Sequence, residues 1–285
     1  MAAITRVLGP VTEATLVGTT RITPPDCDEV RRIRLRVDDP GFHFSAGQLI
    51  GVIVPGSKLT GRRFHTRRYS IASGASPGDG RVAEFDLLVR RCFAVVDGGG
   101  RRPGLVSHYL CDAAVGEPIA ISGPFPSPFR VPDRDDANLI MIGTGTGVAA
   151  FRGLIQDIYA RKTGWKGQVR LYYGAHTGMD LLYRNEETDD LANYYDRQSF
   201  KAFRALMSKP PESDRDLLEP AIRSNAQEIW ELMQDGRTHV FLAGLHRIAD
   251  AFEDLMHEAA MSASVWNETR AWMQQDGRWS EMVYS

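Results

Sequence analysis

Asn138-Leu139-Ile140-Met141-Ile142-Gly143-Thr144-Gly145-Thr146-Gly147 decides how the second half of this chain folds. A short apolar run bounded by turn residues reads as a strand buried on both faces. Behind the glycines, apolar residues at helical spacing predict a helix over 148–161. In a strand–turn–helix unit, glycines let the backbone come close to a ligand. The helix start then offers free N–H groups and positive dipole to a phosphate. The carboxyl ends of parallel strands are where such sheets bind ligands. The spacing here is G-x-G-x-G, with Val148 where a dinucleotide fingerprint has its third glycine, and no acidic residue near the end of the next strand to hold a ribose. A tight strand–helix turn without a ligand is the alternative reading.

Downstream, strands are predicted at 169–174, 200–206 and 238–244, and helices at 185–196, 222–234, 248–262 and 267–275. This alternation predicts a parallel sheet with helices on both faces. Upstream, the polar stretch Val131-Pro132-Asp133-Arg134-Asp135-Asp136 reads as a linker. Before it, short strands at 30–37, 49–54, 83–91 and 117–124 with Gly and Pro turns, and a single short helix at 105–110, predict a small antiparallel barrel. The expected division is therefore two domains, 1–134 and 135–285.

Within the barrel half, Arg67-Arg68-Tyr69-Ser70-Ile71-Ala72-Ser73 is unusual for a plain strand. Arg grips phosphate in a two-pronged way, Tyr offers a flat face with a polar tip, and Ser is a small donor and acceptor. A flat, phosphorylated, aromatic ligand would use all three. The competing reading is an edge strand with solvated arginines.

Composition narrows the classes. The 285 residues suit two domains, and a formal net charge of -2 gives no case for nucleic acid as partner. Cys27, Cys92 and Cys111 are far apart and form no CxxC pair, which argues against a zinc ribbon, an iron–sulfur cluster or disulfide scaffolding. The seven histidines form no HxxxH pair, so no metal is expected. No stretch approaches the ~18 apolar residues of a membrane span. Residues 1–9 hold no long apolar run, so the expectation is a cytoplasmic chain without a secretion signal.

Several blocks, in a fixed order from about Phe44 to the chain end, resemble the plant-type ferredoxin–NADP reductase family. Arg67-Arg68-Tyr69-Ser70 resembles its R-x-Y-S flavin motif, and Leu87-Leu88-Val89-Arg90-Arg91 its next flavin-side strand. Gly104-Leu105-Val106-Ser107-His108-Tyr109-Leu110 resembles the G-x-x-S-x-x-L turn, and Ser122-Gly123-Pro124 the barrel's end. Gly143 to Arg152 is similar to GTGTGIAPFR with Ala150 for Pro, Ala243-Gly244-Leu245 to Cys-Gly-Leu, and the tail from Trp279 to W-x-x-E-x-Y.

The resemblance implies a Greek-key barrel holding FAD, followed by a Rossmann-like domain holding NADP, with NAD possible. It implies that Arg67, Leu88, Arg90, Gly104, Leu105, Val106, Ser107 and Thr146 bind FAD, with Tyr69 and Tyr284 on the two isoalloxazine faces and Ser70 near N5. It implies NADP on Gly143, Thr144, Gly145, Thr146, Gly147, Gly244 and Leu245, with Ser208-Lys209 mimicking the family's Ser-Arg at the 2′-phosphate. Ser70, Tyr284 and Glu281 take catalytic roles, Tyr284 as a gate that must move for nicotinamide. The activity implied is hydride transfer between NADP(H) and FAD N5, with one-electron exchange to a separate acidic carrier, ferredoxin or flavodoxin. Clustered arginines, Arg62, Arg63, Arg67, Arg68, Arg90, Arg91, Arg101 and Arg102, would dock it or else line ordinary solvated strand faces. The alternatives are the reductase component of an oxygenase system and a flavin-binding sensor subunit. The chain departs from the pattern at Ala243, in the family's Cys position, and in the tail. Glu281 lies three residues before Tyr284, Met282 takes the family's Glu place, and either a bulge or a shifted Glu281 is expected.

Overall fold

The computed structural model describes residues 9–56, 63–75, 82–95, 98–160, 164–176, 199–207 and 215–284, without the side chains of 175–176, 200–207, 215–217 and 284. The helix expected at 185–196 lies outside them. The chain forms two compact units, Met1–Ser127 with Arg152–Asp157, and Pro128–Phe151 with Ile158–Ser285.

In chain order the first unit holds β1 (Val11–Arg21), β2 (Val30–Val37), β3 (Leu49–Pro55), β4 (Phe64–Ser70), β5 (Ala83–Arg90), β6 (Phe93–Val95), β7 (Arg101–Pro103), α1 (Leu105–Asp112) and β8 (Pro118–Phe125). Six of these strands make one sheet, ordered β4-β3-β8-β1-β2-β5, with antiparallel pairing throughout. An antiparallel bridge from Ile71 to Leu87 and a bond from the Ala72 N–H to the Asp86 carbonyl (2.8 Å) join its two end strands, which closes the barrel. Alternation explains the interior: Ile33, Leu35 and Val37 of β2 and Phe85, Leu87 and Val89 of β5 point inward, and Val106, Leu110 and Cys111 of α1 plug one end.

The second unit is a five-stranded sheet of β9 (Asn138–Thr144), β10 (Val169–His176), β11 (Phe200–Met207), β12 (Thr238–Leu245) and β13 (Trp279–Tyr284), ordered β11-β10-β9-β12-β13 with every pair parallel. The order reverses between β9 and β12, and the carboxyl ends of the strands at such a reversal are where open parallel sheets bind ligands. The helices are α2 (Ala149–Ala160), α3 (Arg215–Arg223), α4 (Ala226–Met233), α5 (His246–Ala259) and α6 (Ala263–Gln275). Ile140 and Ile142 pack into the core that α3 to α6 cover, while the Phe129 ring lies tilted against Phe151 (5.3 Å) and Phe241 (5.5 Å) as a separate aromatic cluster.

Apolar spacing predicts one helix over 222–234; two short ones stand there. At the break, the Ser224 hydroxyl donates to the Pro220 carbonyl and the Asn225 amide to the Ala221 carbonyl, both at 2.8 Å. Such side chains compete for backbone groups, and Asn225 leaves helical geometry at φ -119°.

His239 on β12 is half-buried beside the Phe241 ring at 6.3 Å. Burial, reinforced by Arg278 and Arg134, pushes its imidazole down from 6.5 to about 4. The fold therefore holds it neutral, while the unfolded chain takes up a proton below 6.5. Its contribution is full above pH 6.5 and is lost as pH falls toward 4. Urea unfolding between those limits is expected to show a steeper acid loss in the wild type than in His239→Gln; equal slopes would remove His239 as the cause.

Candidate functional site

β4 carries the arginine–tyrosine motif. Arg67 and Arg68 are exposed, and Tyr69 and Ser70 are half-buried. Arg67 pairs with Val52 and Tyr69 with Ile50, both partners being barrel core, so Arg67 and Tyr69 share one strand face. Tyr69 packs against that core, and burial, with Cys92 and Cys111 nearby, raises its phenol well above the usual range. It is thus a neutral ring that offers a face, not a proton carrier. Arg68 belongs to the other face, its guanidinium 4.2 Å from the Phe125 ring centre. Between them, β3 breaks register against β8 at Leu49/Gly51, directly across from Ser70 and Arg68. A bulge there bends the strand that sets the motif's aim.

The second block of site residues is at the end of β5 and the start of α1. Leu88 is buried and Arg90 exposed. Arg91 is bound to Glu29 (2.7 Å) and Asp112 (2.6 Å), which engages it within the barrel unit and away from a docking role. Gly104 precedes α1 as its N-cap; Leu105 is exposed, while Val106 and Ser107 are buried. A Cβ on Gly104 would meet the Cys92 carbonyl at 2.9 Å. The Ser107 hydroxyl accepts from the Cys92 N–H (3.1 Å) and donates to the Gly104 carbonyl (3.2 Å). His108 Nδ1 lies 3.0 Å from the same carbonyl, and its ring meets Phe93 edge-on at 4.7 Å. Ser107 and His108 therefore shape this turn with their side chains.

In the second unit, Gly145-Thr146-Gly147-Val148 form a single 3-10 turn between β9 and α2, and Thr144 makes no side-chain cap. The three glycines have different reasons. A Cβ on Gly147 would strike the Ala243 backbone at 2.8 Å, and one on Gly143 would meet the Phe151 ring at 3.0 Å. Both permit internal packing. Gly145 has φ +52° and open space where a Cβ would be, so it alone faces outward. Across the rung, Gly244 (φ +133°) leaves no room for a Cβ beside Thr144 Oγ1. The turn, Ala243, Gly244 and Leu245 thus lie together at the switch point of the sheet.

Ser208 and Lys209 lie outside the described residues, as do Arg62 and the Tyr284 side chain. The tail itself runs without a bulge: Glu281 pairs with Leu242, Met282 with Ala243 and Tyr284 with Leu245. The Glu281 carboxylate accepts from the Trp279 indole N–H and lies 3.5 Å from Arg270. His246 is exposed at the first position of α5. Sequence reading gave no role to Asp86, a carboxylate 2% exposed within β5, or to Arg152, 7% exposed, which it met only as the end of the Gly143–Arg152 block. Asp86 shares β5 with Glu84 and Arg90, so its charge alone did not set it apart. Among the described residues there is no cluster of metal-ligating side chains, and no helix is long and apolar enough to cross a membrane.

Replacing Gly147 by Ala is expected to cost about 1–3 kcal/mol through backbone overlap. Equilibrium urea unfolding checks this, and an unchanged midpoint would overturn the packing account.

A family model described as the oxidoreductase NAD-binding domain matches residues 141–254. Ferredoxin–NADP reductase of Synechocystis sp. is 28% identical over 247 residues, 85% of this chain and 60% of that protein. The Spirulina sp. ferredoxin–NADP reductase is 28% identical over 262 residues, 90% of this chain and 88% of that one. The chloroplastic leaf isozyme 1 of Arabidopsis thaliana is 29% identical over 249 residues, 85% and 68% of the two chains. The chain thus spans 60% of the length of the first of these relatives and most of the second. Among solved structures, ferredoxin–NADP+ reductase from Plasmodium falciparum superposes with a TM-score of 0.73 over 96% of both chains at 16% identity. The same enzyme with 2′P-AMP gives 0.70 at 18% over 96% of both. At that identity the likeness establishes the fold.

Proposed function

We propose that the chain is a plant-type ferredoxin–NADP reductase family member, a flavoprotein oxidoreductase moving electrons between NADP(H) and a one-electron ferredoxin, a reading that the NAD-binding domain match and the 28–29% identical relatives support. Residues 1–134 take the FAD role and 135–285 the NADP role. The observation that carries the reading is the end of β4, where exposed Arg67 and half-buried Tyr69 share a face and Ser70 ends the strand.

These residues fit the flavin. Arg67 is exposed at the surface, where it can meet a pyrophosphate in a charge-assisted contact. Tyr69 is neutral and braced from behind by the barrel core, so its ring can support a flat partner without moving. Ser70 supplies a hydroxyl one residue before the barrel closes. Leu105 and Val106 contribute main-chain N–H groups at the start of α1; Gly104, whose own N–H donates to the Cys92 carbonyl (2.8 Å), lets the chain turn there, and the Ser107 hydroxyl keeps that turn in shape. Leu88 and Arg90 flank the same region on β5. FAD, once bound, supplies the step from a two-electron hydride to single electrons.

The second unit binds and orients the nicotinamide nucleotide. Gly145 and Thr146 offer the outward part of the turn, while Gly143, Thr144, Gly147, Gly244 and Leu245 keep the switch point narrow. The 2′P-AMP named for the Plasmodium enzyme supports NADP as the nucleotide, with Ser208 and Lys209 as its phosphate partners. We assign Tyr284 to the gate. Glu281 is assigned to hold the tail through Trp279 and Arg270. Exposed Arg63, Arg101 and Arg102 suit an acidic carrier, ferredoxin or flavodoxin, in the cytoplasm.

The purified protein is expected to be yellow and to be bleached anaerobically within seconds by NADPH, more slowly by NADH. A colourless protein that does not take up FAD would overturn the flavin reading, and bound FAD bleached by neither nucleotide would overturn the enzyme reading. Tyr284→Ser is expected to raise affinity for NADP+; unchanged affinity would remove the gate.

A further inference from the structure

The segment that follows Tyr69 and Ser70 is held by more polar contacts than a surface turn needs. The Ile71 N–H donates to the Gln48 carbonyl and the Ala72 N–H to the Asp86 carbonyl, both at 2.8 Å. The Ala72 carbonyl accepts from Arg152 Nη1 at 2.6 Å. The Asp86 N–H donates to Ser73 Oγ (3.1 Å), and the Gly74 N–H to Gln156 Oε1 (3.0 Å). Gly153 is packed so closely that a Cβ there would meet the Ser73 carbonyl at 2.6 Å.

Two buried charges organise these contacts. The Asp86 carboxylate is gripped by Arg34 through Nε (2.9 Å) and Nη2 (3.3 Å), and Arg152 Nη1 lies 3.5 Å from its Oδ2. A buried ion group of this kind is a poor device for stability alone, because desolvation offsets much of the attraction. Its plain effect is directional: Asp86 fixes the Arg152 guanidinium, and the guanidinium fixes the Ala72 carbonyl. That carbonyl is two residues from Ser70 and three from Tyr69.

We propose that Arg152 and Asp86 are positioning residues, which act through Ala72 and Ser73 to set Tyr69 and Ser70 against the flavin. The inference rests on the flavin reading above. Arg34 orients Asp86 from the barrel side, Arg152 carries the constraint to the backbone, and Ser73 and Gln156 are secondary struts. A shift of a few tenths of an ångström in this segment changes the distance at which a hydroxyl and a ring meet the isoalloxazine. Reaction rates are steep in such distances.

The test uses the FAD-loaded full chain and the variants Arg152→Lys, Arg152→Gln and Ser73→Ala. Visible circular dichroism and fluorescence of the bound flavin read its environment, FAD affinity and thermal unfolding read the fold, and anaerobic stopped flow with NADPH reads hydride transfer. Arg152→Gln is expected to alter the flavin's visible dichroism and to slow transfer by about 10-fold or more, with FAD affinity within about 2-fold of wild type. Arg152→Lys should restore most of the rate and the spectrum, and Ser73→Ala should lie between. A dichroism spectrum and rate unchanged in both Arg152→Gln and Ser73→Ala would overturn the proposal. So would losses that only track lost FAD or lost stability, without rescue by Lys; if Arg152→Gln does not fold, Ser73→Ala alone decides. Failure of the flavin reading shows separately, as a wild-type protein that binds no FAD.

Discussion

Closure of the barrel depends on a seam of two residues. Ile71 bridges Leu87, and the Ala72 N–H reaches the Asp86 carbonyl; β4 and β5 otherwise stand at opposite ends of the strand order. The chain that makes the seam is continuous with Tyr69 and Ser70, so closure and the site motif cannot be adjusted separately. A slip of one residue in β4 would exchange the faces of Arg67 and Tyr69 with those of Arg68 and Ser70. It would also move Ile71 away from Leu87 and open the sheet. The register of the motif is therefore enforced by the burial of the whole barrel interior, which outweighs any single contact that Tyr69 makes.

The second unit answers to a different constraint, the close approach of two backbones where the strand order reverses. Gly143 and Gly147 admit Phe151 and the Ala243 backbone, and Gly244 admits Thr144. These glycines would be needed with no ligand in view. Gly145 is the exception, since its left-handed φ and open surroundings serve the outer curve of the turn. The tight-turn reading thus accounts for Gly143 and Gly147, and leaves Gly145 to the nucleotide reading of the same loop.

Strand edges were legible where alternation was clean. The expected 30–37 coincides with β2, because inward Ile33 and Leu35 are separated by arginines. The buried run beginning at Asn138 was equally plain. β1 gave no such signal: it is threonine-rich and shifts register at Leu16/Gly18, which spoils a strict two-residue period. The break at Ser224 and Asn225 was hidden because apolar residues keep helical spacing across it, while side-chain bonds to the backbone end the helix. Arg67, Tyr69 and Gly145 stood out from local chemistry. Asp86 and Arg152 did not, since their meaning comes from a contact between distant parts of the chain, and nothing near Asp86 in sequence announces a partner.

The tail sharpens what the departures from the family pattern mean. β13 follows β12 in unbroken register, so Met282 stands on the same rung as Ala243, and Ala243 on that of Gly143. A bulge is ruled out by this ladder; the difference is one of side chains. Glu281 falls on the alternate side of the strand with Trp279, and its carboxylate is engaged there by the indole and by Arg270. The rung at the switch point then carries Gly143, Ala243 and Met282, none of which titrates. In the proposed reaction this rung can pack and orient a nicotinamide but cannot deliver a proton to it. Hydride transfer asks no more of it than a close, dry and fixed seat for the ring, because the hydride leaves the nicotinamide without a proton having to be supplied there.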